Sequence, residues 1–221
     1  FRGINLTMPH KITVLPYLDQ LSPAAQVIGA VNTVVVREDG LYGDNTDGRG
    51  FVEALRRAGL SPAGKTITLL GAGGAARAIA VECALAGVRR ITVVNRSRAH
   101  GEALVDTLRS HTNTQADYLP WSHQLPVPQG TDILINATPV GMRPREREAP
   151  DLDYTTVGPD ILAADVAFDP ADTLFLACCA HRGARCVNGL GMLACQGALN
   201  FTLWTGAQAP FEIMRQALAR E

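Results

Sequence analysis

The chain has 221 residues, 47% of them hydrophobic and 19% charged, with a formal net charge of −1. That composition suits one large or two small domains around a buried core and excludes bulk disorder. The near-zero charge leaves no electrostatic case for nucleic acid or an anionic membrane, so the expected partner is a small molecule.

In chain order, residues 3–7 read as a short strand. A domain seldom opens in mid-strand, so Phe1-Arg2-Gly3-Ile4-Asn5 predicts a preceding N-terminal piece. Pro9 suits the first turn of a helix. A second helix is predicted over 23–28, and residues 31–37 alternate and β-branch like a strand. Glu38-Asp39-Gly40 is a turn signal, which makes a hairpin with 41–43. Asp47 suits the N-cap of a helix over 48–58, with Gly59 as its stop and Phe51, Leu55 and Ala58 on one face. Ser61-Pro62-Ala63-Gly64 reads as a linker.

From Lys65 the pattern changes. Strands are predicted over 66–70, 90–95, 132–136 and 161–166, alternating with helices over 74–86, 98–109 and 173–181. That alternation argues for a parallel, doubly wound α/β sheet. Helices over 192–204 and 207–221 close the chain, the last with Phe211, Met214 and Leu218 on one face. No apolar run is long enough to span a bilayer and no signal peptide is present. The five cysteines contain no C-x-x-C pair, so a zinc or thioredoxin reading fails. Buried, reduced thiols in a cytoplasmic protein are expected, with no metal.

Gly71-Ala72-Gly73-Gly74-Ala75-Ala76 fits G-x-G-x-x-A, and it follows an apolar strand and opens a helix. Gly71 permits the tight turn, Gly73 lets backbone approach a pyrophosphate, and Ala76 lets helix and strand pack closely. The helix N-terminus adds N–H groups and a positive dipole for the phosphates. The alternative is a tight turn that binds nothing. After the second strand, an NAD site places a carboxylate for the ribose 2′-hydroxyl. Here the sequence is Asn95-Arg96-Ser97-Arg98. Arg96 and Arg98 suit a 2′-phosphate instead, which favours NADP.

Lys11 falls in the first turn of its predicted helix, where the dipole disfavours a cation. It is therefore either swung into water or held for a purpose, such as acting as a general acid. Asp47 is either a plain helix cap or its proton-handling partner. Asn5, Thr7, Asn32, Asn45 and Thr46 cluster around these two in sequence, away from the nucleotide signals. Such uncharged hydrogen-bonding groups suit a hydroxyl-rich substrate.

Taken together, these segments resemble the shikimate dehydrogenase family over essentially the whole chain. The matching pieces are Asn5-Leu6-Thr7-Met8-Pro9-His10-Lys11, Gly29-Ala30-Val31-Asn32-Thr33 and Gly43-Asp44-Asn45-Thr46-Asp47-Gly48. They continue through the glycine loop, Asn95-Arg96-Ser97, Asn136-Ala137-Thr138-Pro139-Val140-Gly141-Met142 and Gly191-Met192-Leu193-Ala194-Cys195-Gln196. Phe201 and Trp204-Thr205-Gly206 end the series.

The resemblance implies a two-domain α/β fold. Residues 48–189 would form a Rossmann-like dinucleotide domain. Residues 1–47, completed by 190–221, would form a smaller substrate-binding domain. It also implies NADP-dependent, reversible reduction of 3-dehydroshikimate to shikimate in aromatic amino-acid biosynthesis, by a monomer or homodimer. Lys11 and Asp47 would be the catalytic pair, and Asn5, Thr7, Asn32 and Gln196 would join them in binding substrate. Gly71, Ala72, Gly73, Gly74, Ala75, Asn95, Arg96 and Ser97 would hold NADP. Thr138, Pro139, Met142, Val166, Gly189 and Met192 would lie near the nicotinamide.

Two departures stand out. The family's opening βα stretch, with a Ser-x-Ser loop for the substrate carboxylate, is absent from this sequence. Phe168 stands where the family usually has Tyr, removing one potential hydrogen bond of about 1 kcal/mol. An NAD-dependent quinate/shikimate dehydrogenase and a non-catalytic relative are the alternatives.

Overall fold

The computed structural model describes residues 1–7 and 9–218. Residues 3–44 contribute β1 (Gly3–Asn5), α1 (His10–Thr13), β2 (Gln20–Leu21), α2 (Pro23–Ile28), β3 (Thr33–Arg37) and β4 (Gly40–Asp44). Their four strands form one sheet in the order β1-β3-β4-β2. The predicted hairpin is β3–β4, with Arg37 opposite Gly40 and Thr33 opposite Asp44. Ser22 caps α2 by accepting from the Ala25 N–H at 3.1 Å, Pro23 opens the helix, and left-handed Gly29 ends it.

Helix α3 (Asp47–Arg57) leads to the larger sheet. There follow β5 (Thr66–Leu70), α4 (Gly74–Leu85), β6 (Arg90–Asn95), α5 (Arg98–His111) and β7 (Gln115–Pro120). Next come β8 (Leu125–Pro126), β9 (Ile133–Asn136), β10 (Leu152–Asp153), β11 (Leu162–Asp165), α6 (Leu174–His181) and β12 (Arg185–Val187). β8 and β10 pair with each other, and the remaining six strands form a parallel sheet ordered β12-β11-β9-β5-β6-β7. The chain starts in the middle at β5, winds out to β7, then crosses back to β9. That is the doubly wound order of a Rossmann-like fold, and it puts the switch point between β5 and β9.

Side chains alternate across this sheet as the period of a strand requires. Ile67, Leu69, Ile91, Val93, Ile133 and Ile135 face one core with α3, α4 and α5. Leu70, Val94, Leu134 and Ala163 face a second core with Phe175 and Leu176 of α6. Both faces are covered, as parallel sheets require.

Helix α7 (Gly189–Thr205) then packs along α3, and α8 (Phe211–Leu218) packs on α7. Close approach of α3 and α7 depends on Gly50, where a Cβ would lie 2.9 Å from the Gln196 backbone nitrogen. The Trp204 indole N–H donates to the Val34 carbonyl at 3.0 Å, tying the end of α7 to the small sheet.

Most predicted elements stand within a residue or two of their expected bounds. Asn32 is outside β3, which begins at Thr33. Thr173 is the N-cap of α6 and not its first residue. The final helix is Phe211–Leu218, with Phe211, Met214 and Leu218 half-buried on one face; residues 219–221 of that expectation, and Met8, lie outside the described residues. Strands β2, β7, β8, β10 and β12 were not foreseen.

Candidate active site

Backbone pairing brings three separate segments together. The Leu6 N–H donates to the Asn32 carbonyl at 2.7 Å, the Asn32 N–H to Asp44 at 3.1 Å, and the Val31 N–H to the Lys11 carbonyl at 2.8 Å. The turn after β4 is built on polar side chains. Asp44 accepts from the Ser22 hydroxyl at 2.6 Å and the Asn45 N–H at 2.7 Å, and it pairs with Arg49. Asn45 accepts from the Asp47 N–H at 3.1 Å and donates to the Ala30 carbonyl at 3.1 Å.

This turn aims Asp47 at Lys11. The Lys11 ammonium lies 2.6 Å from Asp47 Oδ2, and Asn32 Nδ2 donates to Asp47 Oδ1 at 2.8 Å. The carboxylate is thus committed at both oxygens, which corrects the expectation that it caps a helix. Helix α3 starts at Asp47 itself, Thr46 occupies the cap position, and no side-chain cap bond is made. Lys11 is correspondingly not swung into water: its side chain is 21% exposed and that of Asp47 10%. Each side chain compensates the other, so a substitution that removes one leaves a largely buried group without its partner.

The pair opens into a cleft of about 430 Å³ between the two sheets. Asn5, Thr7, Lys11, Asn32, Asp47 and Gln196 line it, as do Ala75, Met142, Val166, Gly189 and Met192. A polar region from the small sheet and α7 therefore faces residues at the ends of the parallel strands. Phe168, 42% exposed, also lines this cleft.

A second groove, of about 440 Å³, runs over the switch point. Gly71, Ala72, Gly73, Asn95, Arg96, Thr138 and Pro139 line it. Gly71 has φ +105°, and a Cβ there would lie 2.9 Å from the Ala137 carbonyl oxygen, so glycine is required. Gly73 is the cap residue of α4 and brings no side-chain cap bond, while open space surrounds the Cβ positions of Gly73 and Gly74. The first N–H groups of α4 thus lack a side-chain acceptor at the place where a pyrophosphate would sit. This is a cradle for a dinucleotide, and the residues present fit one.

The two arginines after β6 separate. Arg98 makes an exposed ion pair with Glu102 on its own helix at 2.8 Å and is not among the residues lining the groove. Arg96 is exposed and lines the groove. Ser97 accepts from the His100 N–H at 3.4 Å as the cap of α5, so its side chain serves the helix. The opposite wall, including Trp121, His123 and Arg145, was not foreseen. His123 pairs with Asp151 at 2.7 Å and the Trp121 indole donates to the Asp151 carbonyl at 3.0 Å. No periodicity marks these loops.

Behind the strand ends, Asn136 holds the nucleotide-side loop. It accepts from the Thr138 hydroxyl at 2.7 Å and donates to Asp165 at 3.1 Å. Burial pushes the Asp165 carboxyl up, opposed by hydrogen bonds from Ala167, Thr173 and Asn136.

Three family models match in order along the chain. They are the shikimate dehydrogenase substrate binding domain over residues 1–34, shikimate / quinate 5-dehydrogenase over 53–141, and the shikimate 5'-dehydrogenase C-terminal domain over 189–219. The shikimate dehydrogenase (NADP(+)) of Desulforamulus reducens is 44% identical over 222 residues, spanning 99% of this chain and 76% of that protein. The chain belongs to the shikimate dehydrogenase family.

Within that family, the shikimate dehydrogenase (NADP(+)) of Methanopyrus kandleri is 40% identical over 98% of this chain and 76% of its own length. A shikimate 5-dehydrogenase from Thermus thermophilus, solved with NADP(H) and shikimate, has a TM-score of 0.85 at 38% identity, covering 100% of this chain and 79% of that one. The 5-ketofructose reductase of a Gluconobacter strain, solved without ligand, has a TM-score of 0.93 at 42% identity, covering 99% and 78%. Among the described residues, no helix is long and apolar enough to cross a membrane.

Proposed function

We infer that this protein catalyses the NADP-dependent, reversible reduction of 3-dehydroshikimate to shikimate, an oxidoreduction at a CH–OH group in aromatic amino-acid biosynthesis. The observation that carries the reading is the Lys11–Asp47 pair at 2.6 Å, set in one cleft with Ala75, Met142, Val166, Gly189 and Met192. We assign nucleotide binding to residues 48–189. Substrate binding and acid–base chemistry are assigned to 1–47 with 190–221. The reading includes a cytoplasmic enzyme, monomeric or homodimeric, with no nucleic-acid or membrane partner.

NADPH, when bound, supplies the hydride for the ketone carbon. Gly71, Ala72, Gly73, Gly74 and Ala75 would present backbone to its phosphates, Arg96 would meet the 2′-phosphate, and Asn95 and Ser97 would shape that corner. Thr138, Pro139, Met142, Val166, Gly189 and Met192 form the nicotinamide end. Lys11 delivers a proton to the ketone oxygen and stabilises the charge that develops there. Asp47 holds the ammonium in place and balances its charge. In the oxidation, the neutral amine takes the proton back from the hydroxyl. Asn5, Thr7, Asn32 and Gln196 bind the substrate's hydroxyl groups.

A second substrate, a polyhydroxy ketone of the 5-ketofructose type, is supported by the 42% identity to the 5-ketofructose reductase and by Phe168, which puts no hydroxyl into the cleft. The test is the reduced-nicotinamide absorbance of full-length protein with shikimate or quinate and NADP+ or NAD+, and of NADPH with 5-ketofructose. Shikimate with NADP+ is expected to give the highest kcat/KM. A higher value with 5-ketofructose selects the second substrate, and no turnover with any pair refutes the enzyme reading.

A further inference from the structure

Asn200 belongs to none of the binding groups above, yet it is fully buried on α7 and touches three residues of the cleft region. Its Nδ2 donates to Asn5 Oδ1 at 2.9 Å and to Gln196 Oε1 at 3.1 Å, and its Oδ1 accepts from the Thr46 hydroxyl at 2.7 Å. Both N–H donors of the amide are engaged, and its oxygen accepts one hydrogen bond.

The polarity of this network follows from two fixed points. The Asp47 carboxylate accepts, so Asn32 must turn its Nδ2 toward it; the Thr46 backbone N–H donates, so Asn32 must turn its Oδ1 toward that, at 2.8 Å. With Asn32 fixed, its Nδ2 lies 3.0 Å from the Thr46 hydroxyl and 3.3 Å from Gln196, a nitrogen that Gln196 meets with Oε1. Asn200 must then offer Nδ2 to Gln196, because two carbonyl oxygens would otherwise face each other. That same nitrogen meets Asn5 and demands its Oδ1. Asn5 Nδ2 and Gln196 Nε2 are the amide ends left over. Neither has a hydrogen-bond partner among the described residues, and both residues line the cleft.

We propose that Asn200 is a positioning residue that fixes Asn5 and Gln196 as hydrogen-bond donors toward the substrate, so that the cleft wall recognises acceptor oxygens. The proposal rests on the reading of this cleft as the substrate site. Asn200 touches no reacting atom and acts through its two neighbours. A buried amide held by three hydrogen bonds rotates only by breaking all of them. Substrate binding therefore meets donors already oriented.

Two measurements test it, one of which needs no turnover. In 15N-labelled protein, the side-chain NH2 protons of Asn200 and Asn32 are expected to exchange slowly, while those of Asn5 and Gln196 exchange readily in the open cleft. Slow exchange at Asn5 and Gln196 with fast exchange at Asn200 overturns the orientation.

Kinetically, Asn200→Ala is expected to raise the shikimate KM at least tenfold, lower kcat less than threefold and leave NADP+ affinity within twofold. Gln196→Ala is expected to cost less in the Asn200→Ala background than alone. Asn200→Asp, which keeps the shape and removes both donors, should repeat the KM effect if the alanine variant fails to fold. A KM within twofold of wild type, or equal Gln196→Ala costs in both backgrounds, overturns the proposal. If wild type itself does not turn over shikimate, the functional reading fails, and the exchange rates alone decide the orientation.

Discussion

Arg96 and Arg98 are two residues apart but have different surroundings. Arg98 is held by Glu102 across one helical turn, whereas Arg96 lines the nucleotide groove. A charge-assisted hydrogen bond contributes about 1.5–3 kcal/mol, or roughly 10- to 100-fold in affinity. Arg96→Ala is therefore expected to weaken NADP+ binding by about that factor with NAD+ within twofold, as read by calorimetry. Arg98→Ala should change either nucleotide by less than about threefold, the scale of an exposed ion pair. Equal loss of both nucleotides in Arg96→Ala would refute the 2′-phosphate assignment.

At the level of elements, the meeting of α3 and α7 places Gln196 beside Asp47. Gly50 makes that approach possible, and a methyl group there would press on the Gln196 backbone. Overpacking of this kind costs about 1–3 kcal/mol. Gly50→Ala is expected to lower the unfolding midpoint and raise the substrate KM together; an unchanged KM in a destabilised protein would separate the helix contact from the site.

Local rules found β5, the glycine loop and α4, because strand, turn and helix signals adjoin in one stretch. They failed where partners are distant. Capping statistics left Asp47 open between its own helix and a distant partner, whereas Lys11 and Asn32, far off in sequence, hold both its oxygens. β7 and β12 lie at the two edges of the parallel sheet. Strands there need no continuous apolar run, and Gln115-Ala116-Asp117-Tyr118-Leu119-Pro120 has none. Trp121 and Arg145 reach the nucleotide groove from loops whose course tertiary packing decides.

For the molecule as a whole, the five cysteines report on the integrity of the core. All are free thiols, and Cys83, Cys179 and Cys195 are buried. Burial pushes Cys83 and Cys179 up to about 12 and Cys195 to about 11, from an ordinary 9.0. These three should resist a thiol reagent at pH 8 in the native protein and react once it is unfolded. The sign of the pH effect follows. The folded state keeps its protons longer, so this contribution to stability is fully present below pH 9 and is lost as pH rises through 9 toward 11–12. A urea midpoint that rises across that range would contradict it.

In the proposed reading, the cleft between the two sheets sets Lys11 and Asp47 opposite Met142, Val166, Gly189 and Met192, the proposed nicotinamide end. The direct test of that arrangement is single-turnover hydride transfer from shikimate to NADP+ in Lys11→Ala, with NADP+ affinity measured on the same protein. Loss of a positioned acid–base group, here the proton acceptor, costs about 10²–10⁴-fold. The expected result is a fall in rate of at least about 100-fold with NADP+ affinity within twofold. A rate near wild type, or equal losses in rate and NADP+ affinity, would contradict the assignment of Lys11 as the acid–base group.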